Sequence, residues 1–528
     1  MSAEPSRFNL IDEAWIPVRK LDGARVELGI RDTLRQAKEI AVIEDPSPLV
    51  TASLHRFLLA VLYRALEGPT DIYQAKTLFR VGLPADKIDA YLDRWRDRFW
   101  LFDEAYPFGQ NPNIPATELE PWTKLTAEHN ATSNKVLFDH TDAKAPGARS
   151  FAECARWLVS TMTFSLSGGR GYFPSPSVNG LMCIPVGANL HETLCYCLID
   201  QNRTVIQGDI PLWERHPEEL PLATPKRAPA GNADLFSWQA RLVFLEACPT
   251  GGVAFVRFIA GLGHESTAPI IDPMLAYTTD KEKGRLPLRF HENRGIWRDF
   301  DSLLPGAGGE APLTIQHSIR LAGHDPCLLP KSILTLGLRY TPPNANVDFW
   351  RMETFALPER LASDVHVRSE IRQLLTDAEQ TESALDAALR DWAKSMITKC
   401  DRELQNDKWA SGRWIPGDVS KAIGKTSPDT PPAPALTYWS AVEAAFHDML
   451  RLYTAESDPE TIRHGWLKTI RQALHDAWQR HAASVAISDA WAIRALVRAE
   501  AHVNRQRKAL EREIQKYETY RQAQETTA

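Results

Sequence analysis

SILTLGLRYTPPNANVDFWRMETFAL (332–357) and, a short way on, IRQLLTDAEQTESALDAALRDWAKSM (371–396) decide how this chain is built. The first piece reads as two strands around Pro342-Pro343-Asn344-Ala345-Asn346, a tip that its prolines stiffen. In the second, Ile371, Leu374, Ala378, Leu385, Leu389, Trp392 and Met396 recur at helical spacing. The hydrophobic period therefore switches from strand to helix near residue 365. Downstream the helical pattern returns three times. Trp439, Val442, Phe446, Met449 and Tyr453 form one stripe; Leu467, Ile470, Leu474 and Trp478 lie within 459–483; and Ile493, Leu496, Val503, Leu510, Ile514 and Tyr517 lie within 487–521. Four amphipathic segments predict an antiparallel four-helix bundle over 365–528. The break from Trp409 to Ala435, with SPDTPPAPA (427–435), reads as a mobile loop or a partner contact.

Upstream, strands and helices mix. Residues 239–260 read as a hairpin turning at Cys248–Gly252, and residues 8–28 as another around Asp22-Gly23. Between them, Ser47 and Pro48 open a helix over 47–66 in which Leu54, Leu58, Val61 and Leu62 share a face; further helical patterns fall at 84–99, 150–165 and 189–200. The fold class expected is α+β, a large mixed α/β domain over 1–364 followed by the bundle.

The 528 residues, 44% hydrophobic and 24% charged, exclude collagenous and wholly disordered classes. Net charge is −6 with a pI near 6.2, so the molecule as a whole does not attract nucleic acid, and any such contact needs a local patch. Residues 371–528 hold 22 Lys or Arg against 22 Asp or Glu. One helix still shows a basic stripe, His464, Lys468, Arg471 and His475, at spacings of four, three and four; a solvated helix face also gives this pattern. No basic-then-apolar leader opens the chain and no uncharged apolar run reaches about 18 residues, so a cytoplasmic location is expected. The seven cysteines include no C-x-x-C pair and suggest neither a disulfide framework nor a zinc ribbon.

A search for catalytic chemistry finds none. The glycine cluster Ser167–Gly171 lacks the lysine and hydroxyl of a phosphate-binding loop, there is no H-E-x-x-H or H-x-H metal motif, and G-x-S-x-G is absent. Asp12-Glu13 reads as a strand-flanking pair, and Cys195 and Cys197 fall on different sides of one helix. No metal and no cofactor is expected. The alternative in another class is a metal-dependent nuclease whose ligands are dispersed in sequence.

Several stretches in register resemble one family, the CasA large subunit of the type I-E CRISPR surveillance complex, Cascade: FNLIDEAWIPV (8–18), YPFGQNPNIPATELEPWTKL (106–125), PVGANLHETL (185–194), Asp272-Pro273 to Trp297, and YWSAVEAAFHDML (438–450). The resemblance implies a non-enzymatic subunit that sits near the 5′ handle of the guide RNA and reads the protospacer-adjacent motif (PAM) of duplex DNA. It implies further that the subunit helps open the duplex for guide pairing and helps recruit a separate helicase-nuclease. Its partners would be the backbone, small and guide-processing subunits, the guide RNA and double-stranded target DNA.

The resemblance also assigns residues. A wedge carrying a glutamine in the family matches the 343–346 tip, where Asn344 or Asn346, flanking Ala345, would supply the carboxamide. A glycine-rich groove-reading loop matches Ser175–Gly180, where Ser177, Val178, Asn179 and Gly180 would read the groove although most of the family's glycines are replaced. A groove-reaching lysine falls in register at Thr279 or Asp280, just before Lys281 and Lys283. The loop that meets the guide handle matches Asn134–Gly147, with Asn134, Lys135 and an apolar hook of Leu137 and Phe138; Phe138 reads equally as a core residue. Of the cysteines that hold zinc in some members, only Cys248 is present. On the bundle, His464, Lys468, Arg471 and His475 would clamp DNA phosphates.

Overall fold

Ser47 and Pro48 begin the helix around which the larger unit is packed. In the computed structural model, Ser47 Oγ accepts from Val50 N at 3.2 Å, and Pro48 fills a first-turn position that needs no amide donor. The model describes residues 7–527 apart from 130–135, 137–138, 169–170, 217–225, 250, 266–270, 281, 283, 307–310, 343–345, 365, 399–418, 420, 425–431, 455 and 486–489. Helix Pro48–Leu66 buries every residue from Leu49 to Tyr63. By length and apolarity it could cross a membrane, but its side chains lie inside protein. Phe57 is its hub, meeting Trp15, Phe108 and Trp213 edge-on at ring distances of 5.7, 5.8 and 5.5 Å.

Three three-stranded sheets share a hydrophobic core with this helix. The first is the N-terminal hairpin, Ile16–Lys20 with Arg25–Leu28, flanked by Ile40–Ile43; Gly23 takes φ +90° at its turn, which a side chain would disfavour. The second pairs Arg241–Ala247 with Val253–Ala260 and Leu119–Pro121. The third orders Val347–Ala356, Ser332–Tyr340 and Met182–Val186, so the sequence-predicted third hairpin gains a third strand, beside Ser332–Tyr340, that the sequence reading missed.

By compactness the chain divides into Met1–Phe290 with Ser302–Phe355, and His291–Asp301 with Ala356–Ala528. The second unit thus takes in an eleven-residue segment that the expected 1–364 and 365–528 division leaves with the first. Packing explains it: Trp297 meets Trp439 and Phe446 at ring distances of 5.6 and 5.1 Å, and Arg298 Nη2 bonds Glu379 Oε2 at 2.7 Å.

The second unit is a four-helix bundle of Val367–Ile397, Ala433–Arg451, Pro459–Ser484 and Ala490–Thr527. Cross-links fix the senses. Thr381 accepts from Gln506 while Asp391 pairs with Arg498, so the first and last helices run oppositely. Thr461 meets Tyr517 and Arg471 meets Glu511, so the last two do as well. Trp466 and Tyr438 donate to main-chain carbonyls of Leu374 and Ala378, which satisfies two polar groups on buried aromatics. Most of the Trp409–Ala435 break lies outside the described residues.

Candidate nucleic-acid interface

Strand Met182–Val186 is the spine from which three loop-bearing elements of the first unit hang. On one side it pairs antiparallel with Ser332–Tyr340, Met182 opposite Leu336 and Val186 opposite Ser332. On the other, Cys183 N donates to Met274 O at 2.7 Å, Ala276 N to Leu181 O at 3.1 Å and Leu181 N to Leu288 O at 2.8 Å. Those bonds anchor the base of a second hairpin, Tyr277–Asp280 with Gly284–Pro287. The turn at 175–180 runs directly into the spine, so it and both hairpins share one backbone frame.

A buried ion pair locks that frame to the core helix. Arg56, 1% exposed, donates from Nη1 to Asp272 Oδ2 at 2.6 Å, and Asp272 is fully buried. Ser177 Oγ donates to the same oxygen at 2.5 Å, Met274 N donates to Asp272 Oδ1 at 2.9 Å, and Asp272 N donates to the Tyr277 hydroxyl at 2.8 Å. Burial pushes that tyrosine hydroxyl above its ordinary pKa. Arg56 also lies over the Phe236 ring at 4.3 Å. Both carboxylate oxygens are thus paired, the condition on which a buried charge is tolerated. Helix 48–66, turn 175–180 and the foot of the 277–287 hairpin meet at one carboxylate.

A second device sits just below the 342–346 tip. Tyr340 N donates to Asn179 Oδ1 at 3.1 Å, and Asn179 Nδ2 donates to Tyr340 O at 3.4 Å, so one carboxamide stands in for a pairing strand. The Tyr340 hydroxyl meets Ser167 Oγ at 3.1 Å. Gly337, at φ +151°, lies where a Cβ would come 3.0 Å from the Gly180 carbonyl oxygen, so turn and strand touch backbone to backbone. Arg241 holds the preceding loop by donating to the carbonyls of Leu166, Phe173 at 2.7 Å and Ala240 at 2.6 Å; burial pushes its pKa down to about 10, which leaves it charged near neutral pH. Beside it, Lys124, Glu120, Tyr172 and Asn346 line a cavity of about 170 Å³.

These placements sort the sequence-predicted residues. Asn346 is exposed beside half-buried Val347, and Thr341 and Pro342 on the other flank are exposed too, while Asn344 and Ala345 lie outside the described residues. Lys281 and Lys283 also lie outside them; Glu282 between them is exposed. Ser177 and Val178 require a correction as groove readers. They are only 2% and 4% exposed, Ser177 because its hydroxyl serves Asp272 and Val178 because it belongs to the core. Gly180 is buried against Leu275, and Asn179 is half-buried on Tyr340. The turn is a platform for the hairpin tip. Asn134, Lys135, Leu137 and Phe138 fall outside the described residues; next to them His129 pairs with Asp139 at 3.4 Å.

The sequence profile of the family described as CRISPR-associated protein Cse1 matches residues 9–477. The chain belongs to this Cse1 family. It is 33% identical over 485 residues to the CRISPR-associated protein CasA/Cse1 of Thermus thermophilus, covering 90% of this chain and 92% of that one. A crystal structure of a CRISPR-associated protein from the same organism superposes with a TM-score of 0.78 at 30% identity, over 96% of this chain and all of the other. Cse1 from Acidimicrobium ferrooxidans, 23% identical, shares the fold with a TM-score of 0.74 over 98% of this chain and all of that one.

For this Cse1 chain the bundle stripe also needs correction as a free cationic face. His464 Nε2 lies 3.1 Å and Lys468 Nζ 2.9 Å from Glu518 Oε1, and Arg471 Nη1 lies 3.3 Å from Glu511 Oε1. His475 Nδ1 is buried without a partner among the described residues. The stripe faces the acidic side of the last helix, which sequence spacing on one helix cannot reveal. Among the described residues no group of three or more His, Cys, Asp or Glu is placed to hold a metal ion. Sequence reasoning missed Arg56 and Asp272, although an arginine inside the apolar run LVTASLHRFLLAVL (49–62) is itself a signal that a buried carboxylate exists elsewhere.

Proposed function

We propose that this chain is the large, non-catalytic subunit of a type I-E CRISPR surveillance complex. In this reading it recognises the PAM in double-stranded DNA, promotes duplex opening for guide pairing and helps recruit a helicase-nuclease in trans, in the cytoplasm and without a cofactor. A distant structural neighbour, 19% identical with a TM-score of 0.68, is a chain of a CRISPR RNA-guided surveillance complex, which supports the assignment to such a particle. The observation that carries the reading is the common frame. The wedge-bearing hairpin, the second hairpin with Lys281 and Lys283 at its turn, and the 175–180 platform all hang from strand Met182–Val186 and its flanking bonds.

Physics gives such a frame its purpose. Guide pairing exchanges one duplex for another of similar stability, so protein must drive the first separation of bases. Unstacking a base step costs on the order of a few kcal/mol, and a wedge that yields under that load cannot supply it. Asn344 and Asn346 act as the wedge carboxamides, Lys281 and Lys283 reach the groove, and Leu137 with Phe138 contacts the guide-handle side. Co-expression with the genomic neighbours should yield a particle that contains guide RNA and selects from a randomised PAM library. A chain that fails to enter such a particle, or that alone cuts supercoiled target with magnesium or manganese, would overturn the reading and favour the nuclease.

A further inference from the structure

The last helix, Ala490–Thr527, carries eight Lys or Arg and five Glu, and it separates them. At about 100° per residue, Arg494, Arg498, Arg505, Lys508, Arg512 and Lys516 fall within an arc of about 80° that runs roughly 33 Å along the axis. None of the five glutamates lies in that arc. Glu500, Glu511 and Glu518 lie together on a flank, where Glu511 and Glu518 meet the cations of the third helix. The arc points away from the buried Ala499, Val503, Leu510 and Ile514. Arg494, Arg505, Lys508, Arg512 and Lys516 are exposed. Arg498 pairs with Asp391 at 3.5 Å and Lys516 with Glu513 at 2.6 Å, but among the described residues no carboxylate lies within 4.0 Å of Arg494, Arg505, Lys508 or Arg512. Tyr520, 60% exposed, ends the face.

We propose that this outer face of the last helix, rather than the stripe on the third helix, is the bundle's binding surface for a nucleic-acid sugar–phosphate backbone. The inference rests on the proposed role in a DNA-binding particle, and it moves the expected phosphate clamp to residues beyond the segment 9–477 that the family profile matches. Charge decides between the helices. On the third helix the stripe cations His464, Lys468 and Arg471 already meet glutamates, and displacing that partner offsets what a phosphate would contribute. On the last helix four cations have no anion to surrender among the described residues, and three are arginines, whose planar fork matches phosphate. A run of this length meets successive phosphates without reading sequence.

The test uses the full chain and fluorescein-labelled oligonucleotides of arbitrary sequence, duplex and single-stranded, with binding followed by anisotropy across a salt series. Arg494→Gln, Arg505→Gln, Lys508→Gln and Arg512→Gln together should weaken binding at least about tenfold at low salt. The slope of log K against log salt should flatten by roughly 3.6 on duplex or 2.8 on single strand, and the probe with the larger change identifies the strand form bound. His464→Gln, Lys468→Gln and Arg471→Gln together should change that slope by less than about one. The circular dichroism of the quadruple variant should match the parent, since Arg494, Arg505, Lys508 and Arg512 are all exposed. An unchanged slope in the quadruple variant, an equal loss in the triple variant, or binding only to phosphatidylserine vesicles would each overturn the inference. In the assembled particle the quadruple variant should keep its ratio of PAM to non-PAM affinity. A parent chain that binds neither oligonucleotide also overturns this inference, whereas a parent particle without any preference for PAM-bearing duplex removes the proposed function itself.

Discussion

The frame around strand Met182–Val186 and the surface of the helical bundle both use charged and polar side chains, but in opposite ways. In the frame, Arg56, Asp272, Ser177 and Asn179 are turned inward or onto backbone, and each satisfies a partner that has no access to water. On the bundle, Lys468, Arg471, Glu511 and Glu518 pair at the surface, where solvent competes. The first arrangement fixes geometry at high cost if broken. The second sets a field and can be altered residue by residue. Position, more than charge count, therefore separates the residues that hold loops in place from those available to a ligand.

The sharpest way to break this contrast is Arg56→Ala. It strands a fully buried carboxylate and should cost about 3–5 kcal/mol in urea unfolding; a loss below about 1 kcal/mol would place the pair among ordinary surface ion pairs. Acidification probes the same interior. Burial pushes the His55 imidazole down to about 4, with Nδ1 against the Thr51 carbonyl at 2.8 Å. Its folded pKa lies below the value of about 6.5 in the unfolded chain, so the unfolded state binds more protons between those limits. The contribution is complete above pH 6.5, falls as pH drops toward 4 and then levels off, and amounts to about 3 kcal/mol. Unfolding midpoints at several pH values should show that slope in the parent and a flatter one in His55→Met.

Smaller effects sharpen the contrast further. Asn179→Ala removes both bonds to the Tyr340 backbone and should cost about 1–2 kcal/mol. It should also raise hydrogen exchange at the end of strand Ser332–Tyr340, with Asn179→Asp restoring at most the acceptor half. Lys468→Ala removes one exposed pair to Glu518 and should change stability by less than about 1 kcal/mol. A larger loss would make the third-helix stripe a structural lock.

How much of this was legible beforehand follows from what local patterns encode. The hairpins around Gly23 and 342–346, the Ser47–Pro48 helix start and the four bundle helices announce themselves through periodicity and capping chemistry, which act within a few residues. Strand Met182–Val186 did not, because five residues that include Pro185 carry too short a pattern and gain their identity only from Ser332–Leu336 alongside. The transfer of His291–Asp301 to the bundle depends on Trp297 finding Phe446, a contact across some 150 residues. The burial of Ser177 and the pairing of Lys468 with Glu518 are likewise long-range facts. The wedge and hook residues were named from resemblance to the CasA family, since Pro and Asn at a tip are also what any turn would use.

The central claim is that the frame holds a stiff tip which opens DNA at its recognition motif. It is tested most directly by comparing affinities for a matched target with and without its PAM, in particles carrying the parent chain or Asn344→Ala with Asn346→Ala. The account predicts that the double variant stays assembled but loses most of the preference for the PAM-bearing duplex, while a target already unpaired at that site binds as before. A full preference in the double variant would contradict it.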